Sequence, residues 1–340
     1  MRLRYHSFQL QLKHTFTIAH DSRDVQPTLI VELSDDGLTG FGEATTNPYY
    51  GITMAGMTEA LERVREQVEH YTWGSPEELW DRVHPLLKDN PFAQCALDNA
   101  AHDLFARKQG LPLYRQWGLE TGTVPATNYT IGIDTIDKMV AKLKEFPWPL
   151  YKIKLGTSHD LDIVRELRRH TSSPFRIDAN CAWSAEEAIA NSGPLKALGV
   201  EFIEQPLPAA DVAGMKEVFT QSLLPVIADE SCIVESDVER CRGLFHGINI
   251  KLTKCGGLTP ARRMIQKARE LGLKTMVGCM TESSIGIAAI GQLLPLLDYV
   301  DMDGNLLIAN DPATGVEFDK DGRFVLSNRS GIGAALKTGR

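Results

Sequence analysis

Five charged residues, Lys154, Asp178, Glu204, Asp229 and Lys251, each close a short apolar run, and the intervals between them are 24, 26, 25 and 22 residues. A strand, a loop, a covering helix and a second loop occupy about that length, so the period predicts successive strand-helix units of a parallel barrel. Each charge then stands at the carboxyl end of its strand, where the loops of such a barrel converge and active sites are built. Three acids bracketed by two lysines point to one site.

The same spacing yields eight strands, at about 128–133, 150–155, 175–179, 200–204, 225–229, 247–251, 274–278 and 298–301, with helical patterns such as 160–169, 184–198, 212–220 and 260–271 between them. The first 120 residues have a different rhythm. Alternation over 28–33 and 38–43 around Ser34-Asp35-Asp36-Gly37 predicts a β-hairpin, and helical spacing follows at 54–70, 76–87 and 92–108, with Ser75 capping before Pro76 and Gly110 closing the third helix. The expected organisation is an α+β domain over 1–120, a barrel over 121–309 and a tail over 310–340 that leaves the repeat, turns at Asp321-Gly322 and returns to the first domain. A chain of 340 residues has room for both units.

Composition narrows the function. A net charge of −8 and a pI near 5.6, without a basic cluster, argue against nucleic acid and anionic membranes as partners and favour a small molecule. No segment reads as a membrane span, and residues 1–20 carry Arg2, Arg4, Lys13 and His14 rather than a sustained apolar stretch. The six cysteines form no C-x-x-C pair, so they are expected to be reduced and the chain cytoplasmic; a homo-oligomer is left open.

In Tyr151-Lys152-Ile153-Lys154 the period-two rule puts both lysines on one face, about 7 Å apart, where adjacent ammonium groups disfavour each other's charge and so help a lysine act as a base. In Gly247-Ile248-Asn249-Ile250-Lys251 the isoleucines face the helices while Asn249 and Lys251 face inward. Asp178, Glu204 and Asp229 end consecutive strands. Singly each reads equally as a cap or a turn residue; together they converge on one hard cation, for which Mg2+ suits three oxygen ligands with open positions. Strands two and six lie opposite in a ring of eight, so Lys154 and Lys251 face each other across that metal. One lysine could remove a proton from one side of a bound carbon and the other return it to the opposite side, while a metal-held carboxylate stabilises an enediolate. The predicted chemistry is 1,1-proton transfer beside a carboxylate.

On these residues the chain resembles the enolase superfamily, in its muconate-lactonizing subgroup, over essentially its whole length. The resemblance implies an α/β fold, a modified (β/α)7β TIM-type barrel with an α+β N-terminal lid domain. It implies that Lys154, with Lys152 beside it, and Lys251 are the acid/base groups, and that Asp178, Glu204 and Asp229 hold Mg2+. Asp301-Met302-Asp303 is similar to the pair with which dipeptide epimerases hold a substrate's free amino terminus, and the segment 278–284, with Thr281, Ser283 and Ser284, to their substrate-carboxylate loop. A first lid loop at 15–23 would meet the second residue's side chain, Arg23 pairing with a glutamate carboxylate, and Tyr49 and Tyr50 would belong to a second lid loop that excludes water. The implied activity is closest to the L-Ala-D/L-Glu epimerases of cell-wall peptide recycling, acting on a small dipeptide. The rivals are an N-acylamino-acid racemase or o-succinylbenzoate synthase of the same subgroup, a Schiff-base lysine enzyme, and a metal-binding barrel without catalysis.

Overall fold

The computed structural model describes residues 1–18, 21–72 and 74–337. The chain begins with an antiparallel sheet of three strands, β1 (Arg2–Ile18), β2 (Asp21–Asp35) and β3 (Leu38–Thr45), in that order. β2 and β3 form the expected hairpin; Asp36 at φ 50° and Gly37 at φ 77° take up the left-handed conformations that a tight turn of this twist requires. β1 is not among the expected strands. Only Leu3 and Leu10 of its 17 residues are buried, so it lacks the apolar alternation that marks a strand. Beyond a register shift between Gln11 and Phe16, the β1–β2 hairpin reaches the barrel, where Lys13 N donates to Leu307 O and Ile133 N to Thr17 O, both at 2.9 Å. Ala19 and His20 of the expected lid loop lie outside the described residues, as do residues 338–340 of the tail.

Thr53, Ser75 and Asn90 cap α1 (Met54–Glu69), α2 (Pro76–Leu87) and α3 (Pro91–Lys108), each accepting from the N–H three residues on. α3 is buried nearly all round because it lies between the sheet and the barrel. β3 can approach it only through glycine: a Cβ on Gly42 would stand 2.0 Å from Ala96 O, and one on Gly40 2.3 Å from Ala100 O. A short helix, α4 (Leu113–Gln116), precedes the barrel.

The eight barrel strands are β4 (Tyr129–Ile131), β5 (Tyr151–Lys154), β6 (Phe175–Asp178), β7 (Val200–Glu204), β8 (Val226–Ala228), β9 (Gly247–Lys251), β10 (Lys274–Gly278) and β11 (Tyr299–Asp301). Each end lies within two residues of its expected position. They pair in parallel in chain order, and a bridge from Thr127 to Val300 joins the last strand to the first. Helices α5 (Ile136–Glu145), α6 (Asp160–Arg168), α7 (Ala185–Ala197), α8 (Val212–Gln221), α9 (Asp237–Cys241), α10 (Leu252–Cys255), α11 (Leu258–Glu270) and α12 (Ser284–Gly291) fill the connections after the first seven strands. Ile248 and Ile250 pack outward with the helices. Inside, Phe202, Ile227 and Met276 form an apolar floor with the Arg176 guanidinium 5.3 Å from the Phe202 ring. The charged residues stand above it.

After β11 the chain makes a hairpin about Asp321-Gly322, with Asp319 N donating to Arg323 O at 2.8 Å, and meets the amino end of the barrel through Thr127 N to Gly322 O at 2.8 Å. It then contacts α3, where Ile332 N donates to Asp103 Oδ1 at 2.8 Å and Arg107 Nη2 to Ala334 O at 2.7 Å. The six cysteines are all unpaired. Among the described residues no helix is long and apolar enough to cross a membrane.

Candidate active site

A cavity of about 420 Å³, within the range of small-ligand sites, opens where the carboxyl ends of the barrel strands meet the first domain. Strand register assembles its charges. Lys154 pairs across the sheet with Asp178, and Asp178 with Glu204, so alternation delivers all three to one interior level. Asp229 follows β8 directly, and Lys251 closes β9.

Lys152 Nζ stands among three acids, 3.1 Å from Asp178 Oδ2, 2.8 Å from Glu204 Oε2 and 2.8 Å from Asp301 Oδ2. Lys154 Nζ donates to Asp178 Oδ2 at 2.5 Å and to Asn180 Oδ1 at 3.1 Å. Four strands away, Lys251 Nζ donates to Asp229 Oδ2 at 2.8 Å. Burial opposes the charge on Lys152, but Asp301, Glu204 and Asp178 together hold its ammonium well above the usual lysine range. This corrects the expectation that the paired lysines depress each other at that position: three carboxylates outweigh one neighbouring ammonium. Lys251 is likewise raised, Asp229 overcoming burial. Burial would push Asp178 and Asp229 up, yet Lys154 and Lys152 hold the former low, and Lys251 and Lys254 the latter. Glu204 is pushed up by burial and by Asp178.

The donor set fits a divalent cation. Three carboxylates converge from neighbouring strands, and Glu204 Oε2 is buried without accepting a hydrogen bond, since Lys152 Nζ lies close to it but is not aligned to donate. Three buried carboxylates at one level of the barrel, with the cavity open beside them, suit a hard cation such as Mg2+.

Asp301 and Asp303 share one side of the cavity. Asp301 Oδ1 accepts from Asn128 Nδ2 at 2.7 Å and its Oδ2 from Lys152, whose charge holds Asp301 low against burial. Asp303 Oδ2 accepts from Thr130 N at 2.6 Å; burial, then the Asp301 charge, push it up to about 7. Oxygens of both and Cys279 Sγ lie within 4.8 Å of one another, an arrangement that suits a cationic group.

Thr281, Arg23 and Tyr49 also line the cavity, Tyr49 being 58 % exposed. Ser283 and Ser284 do not. Ser283 Oγ donates to Glu43 Oε2 at 2.5 Å and Ser284 Oγ to Asp311 Oδ2 at 2.6 Å, so both hydroxyls serve the framework behind the loop. Glu43, on β3, also accepts from Ser283 N at 2.9 Å, Gly286 N at 2.9 Å and Thr28 Oγ1 at 2.8 Å. It caps α12 from the other domain. Sequence reasoning missed this residue and Lys254, whose Nζ donates to Asp229 Oδ1 at 2.5 Å and Asp229 O at 2.6 Å. The available signal for Lys254 is its place three residues after Lys251, one turn along α10; for Glu43 nothing local exists.

The matches to known proteins run the length of this architecture. Residues 5–118 match the family model described as the mandelate racemase / muconate lactonizing enzyme N-terminal domain, and residues 136–339 match the enolase C-terminal domain-like model. An L-Ala-D/L-amino acid epimerase of Flavobacterium johnsoniae is 58% identical over 336 residues, covering 99% of this chain and 100% of the relative. An L-Ala-D/L-Glu epimerase of Bacteroides thetaiotaomicron is 40% identical, covering 98% and 87%. Among solved structures, the substrate-liganded L-Ala-D/L-Glu epimerase of Bacillus subtilis superposes with a TM-score of 0.93 at 27% identity over 99% of both chains. The dipeptide epimerase of Cytophaga hutchinsonii, complexed with Mg and D-Ala-L-Val, gives 0.93 at 26% identity over 99% of this chain and 95% of that one. With both domains matched in order and a strand-end set of acids and lysines between them, this chain belongs to the enolase superfamily, in its mandelate racemase and muconate lactonizing branch.

Proposed function

We propose that this chain is a magnesium-dependent dipeptide epimerase, acting on L-Ala-D/L-Glu and related dipeptides of cell-wall peptide turnover, and that Lys154 and Lys251 exchange the α-proton of the second residue. The observation that carries this reading is the pair of lysines on β5 and β9, four strands apart in a ring of eight, each reaching the cavity and each ion-paired to a different acid. Mg2+ held by Asp178, Glu204 and Asp229 would supply positive charge to the substrate carboxylate as the α-proton leaves. Lys152 keeps its own charge on that side of the site and adds to this stabilisation. Lys154 takes the proton from one face while Lys251 gives one to the other, and the reverse direction exchanges their roles. Asp301 and Asp303 hold the substrate ammonium; Thr281 and the loop around it border the carboxylate end; Arg23 and Tyr49 close the side-chain end.

A substrate whose amino group is acylated carries no ammonium, and would leave Asp303 without a cation to face, since Lys152 already pairs with Asp301. The names of the relatives support the dipeptide class. The unpaired cysteines and the acidic charge support a cytoplasmic protein without nucleic-acid partners. The test is a dipeptide library incubated with enzyme and Mg2+ in heavy water. Deuterium should enter the α-carbon of the second residue, and Lys154→Met and Lys251→Met should each abolish epimerisation. Absence of deuterium from every dipeptide would refute the proposal.

A further inference from the structure

The lid side of the cavity is largely apolar, lined by Phe16, Ile18, Pro48 and Tyr49, but one ion pair stands among them. Arg23 Nη2 lies 2.5 Å from Asp21 Oδ2, both at the start of β2. Nη1 of the same guanidinium donates to Gln26 Oε1. Gln26 is itself fixed, 1 % exposed, its Nε2 donating to Pro27 O at 3.0 Å and to Thr46 O at 2.9 Å. The guanidinium is thus oriented by an amide anchored in the sheet and neutralised by a carboxylate two residues away, and the two terminal nitrogens that would grip an incoming carboxylate are both engaged.

We propose that Asp21 is a specificity-determining residue, an internal stand-in for the acidic side chain of a substrate's second residue; the inference rests on the dipeptide reading above. With a neutral second residue the Asp21–Arg23 pair stays closed, so no uncompensated cation faces an apolar side chain, which would otherwise oppose binding. With glutamate there, the substrate carboxylate takes the place of Asp21 on the same guanidinium. Asp21, whose side chain is 32 % exposed, then turns to water. The pocket admits both classes, and Asp21 sets their ratio by competing with acidic substrates while shielding neutral ones from Arg23.

The experiment compares kcat/KM for L-Ala-L-Glu and L-Ala-L-Leu on the Mg2+-loaded wild type, Asp21→Asn and Arg23→Met. Asparagine keeps the shape but cannot neutralise Arg23, so the acidic-to-neutral ratio should rise about tenfold in Asp21→Asn, mainly through KM, a shift of ~1.4 kcal/mol. In Arg23→Met the ratio should fall by a similar factor. Each ratio is taken within one preparation, so partial loss of folded enzyme cancels. A ratio in Asp21→Asn at or below that of the wild type overturns the inference even where both dipeptides react. A wild type that epimerises neither dipeptide overturns the reading on which the inference rests.

Discussion

Asparagine at position 303 would remove one charge from the cavity and leave the surrounding structure in place. Asp303 Oδ2 accepts from Thr130 N at 2.6 Å, and its Oδ1 lies 3.9 Å from Cys279 Sγ. The carbonyl oxygen of an asparagine can keep the Thr130 bond and turn its amide toward the cavity. What disappears, on the proposed function, is a buried carboxylate that would hold the substrate ammonium, a charge-assisted hydrogen bond worth about 1.5–3 kcal/mol. That corresponds to a loss of about 10- to 100-fold in kcat/KM for a dipeptide with a free amino terminus. Asp301 offers no such clean test, because Asn128 and Lys152 occupy its oxygens and its replacement would also loosen Lys152.

The same residue makes a pH prediction. Burial and the Asp301 charge push Asp303 up to about 7, so in the free enzyme its carboxyl is protonated below that pH and ionised above it. The ionised form is the one that holds an ammonium group, so kcat/KM should fall as pH drops through about 7, and Asp303→Asn should lack that limb. The assay is solvent deuterium incorporation into L-Ala-L-Glu and into its N-acetyl derivative, which has no ammonium group. The variant should lose activity on the free dipeptide and little on the acetylated one, narrowing the discrimination between them. Equal losses on both substrates, or none on either, would refute the assignment of Asp303 to the amino terminus.

Glu43→Ala should leave Ser283 N and Gly286 N without their buried acceptor and destabilise the protein by about 3 kcal/mol in denaturant titration; an unchanged midpoint would exclude Glu43 as a cap of α12 that ties the two domains together. Asp98, pushed up to about 8 by burial, should make stability pH-dependent. Its folded value is raised, so its contribution is complete below the ordinary carboxylate range and lost as pH rises through about 8. In Asp98→Asn the amide oxygen still accepts from Thr259 N and the NH2 donates to Thr259 Oγ1, which can donate to neutral His102 Nε2. Between pH 5 and 9 the wild type should lose about 4 kcal/mol relative to this variant, three pH units at about 1.4 kcal/mol each; parallel stability profiles would refute the argument.

The barrel and its charged ring were legible because burial makes an inward polar residue conspicuous. A lysine or acid at an interior strand position must be paired, so its presence at a regular interval is itself a signal. Residues that act across the domain boundary lack that property. Glu43 finds Ser283 across 240 residues of chain, and β1 is too exposed to show a strand's alternation. Arg23 falls between these cases, since its pairing follows from the rule already applied to the interior. Residues two apart on a strand share a face, which reads Lys152 with Lys154 and Asp301 with Asp303 as same-sign pairs, and Asp21 with Arg23 as an opposite-sign pair. The energetic consequences differ. A same-sign pair cannot be buried alone: Asp178 bridges the two lysines, and Lys152 partly balances Asp301. Among the described residues Asp303 has no cation paired with it, which is why the proposed function puts the ligand's charge there. An opposite-sign pair closes on itself, so Arg23 alone predicts an acidic ligand, while Arg23 with Asp21 predicts a ligand that must either do without that charge or compete for it.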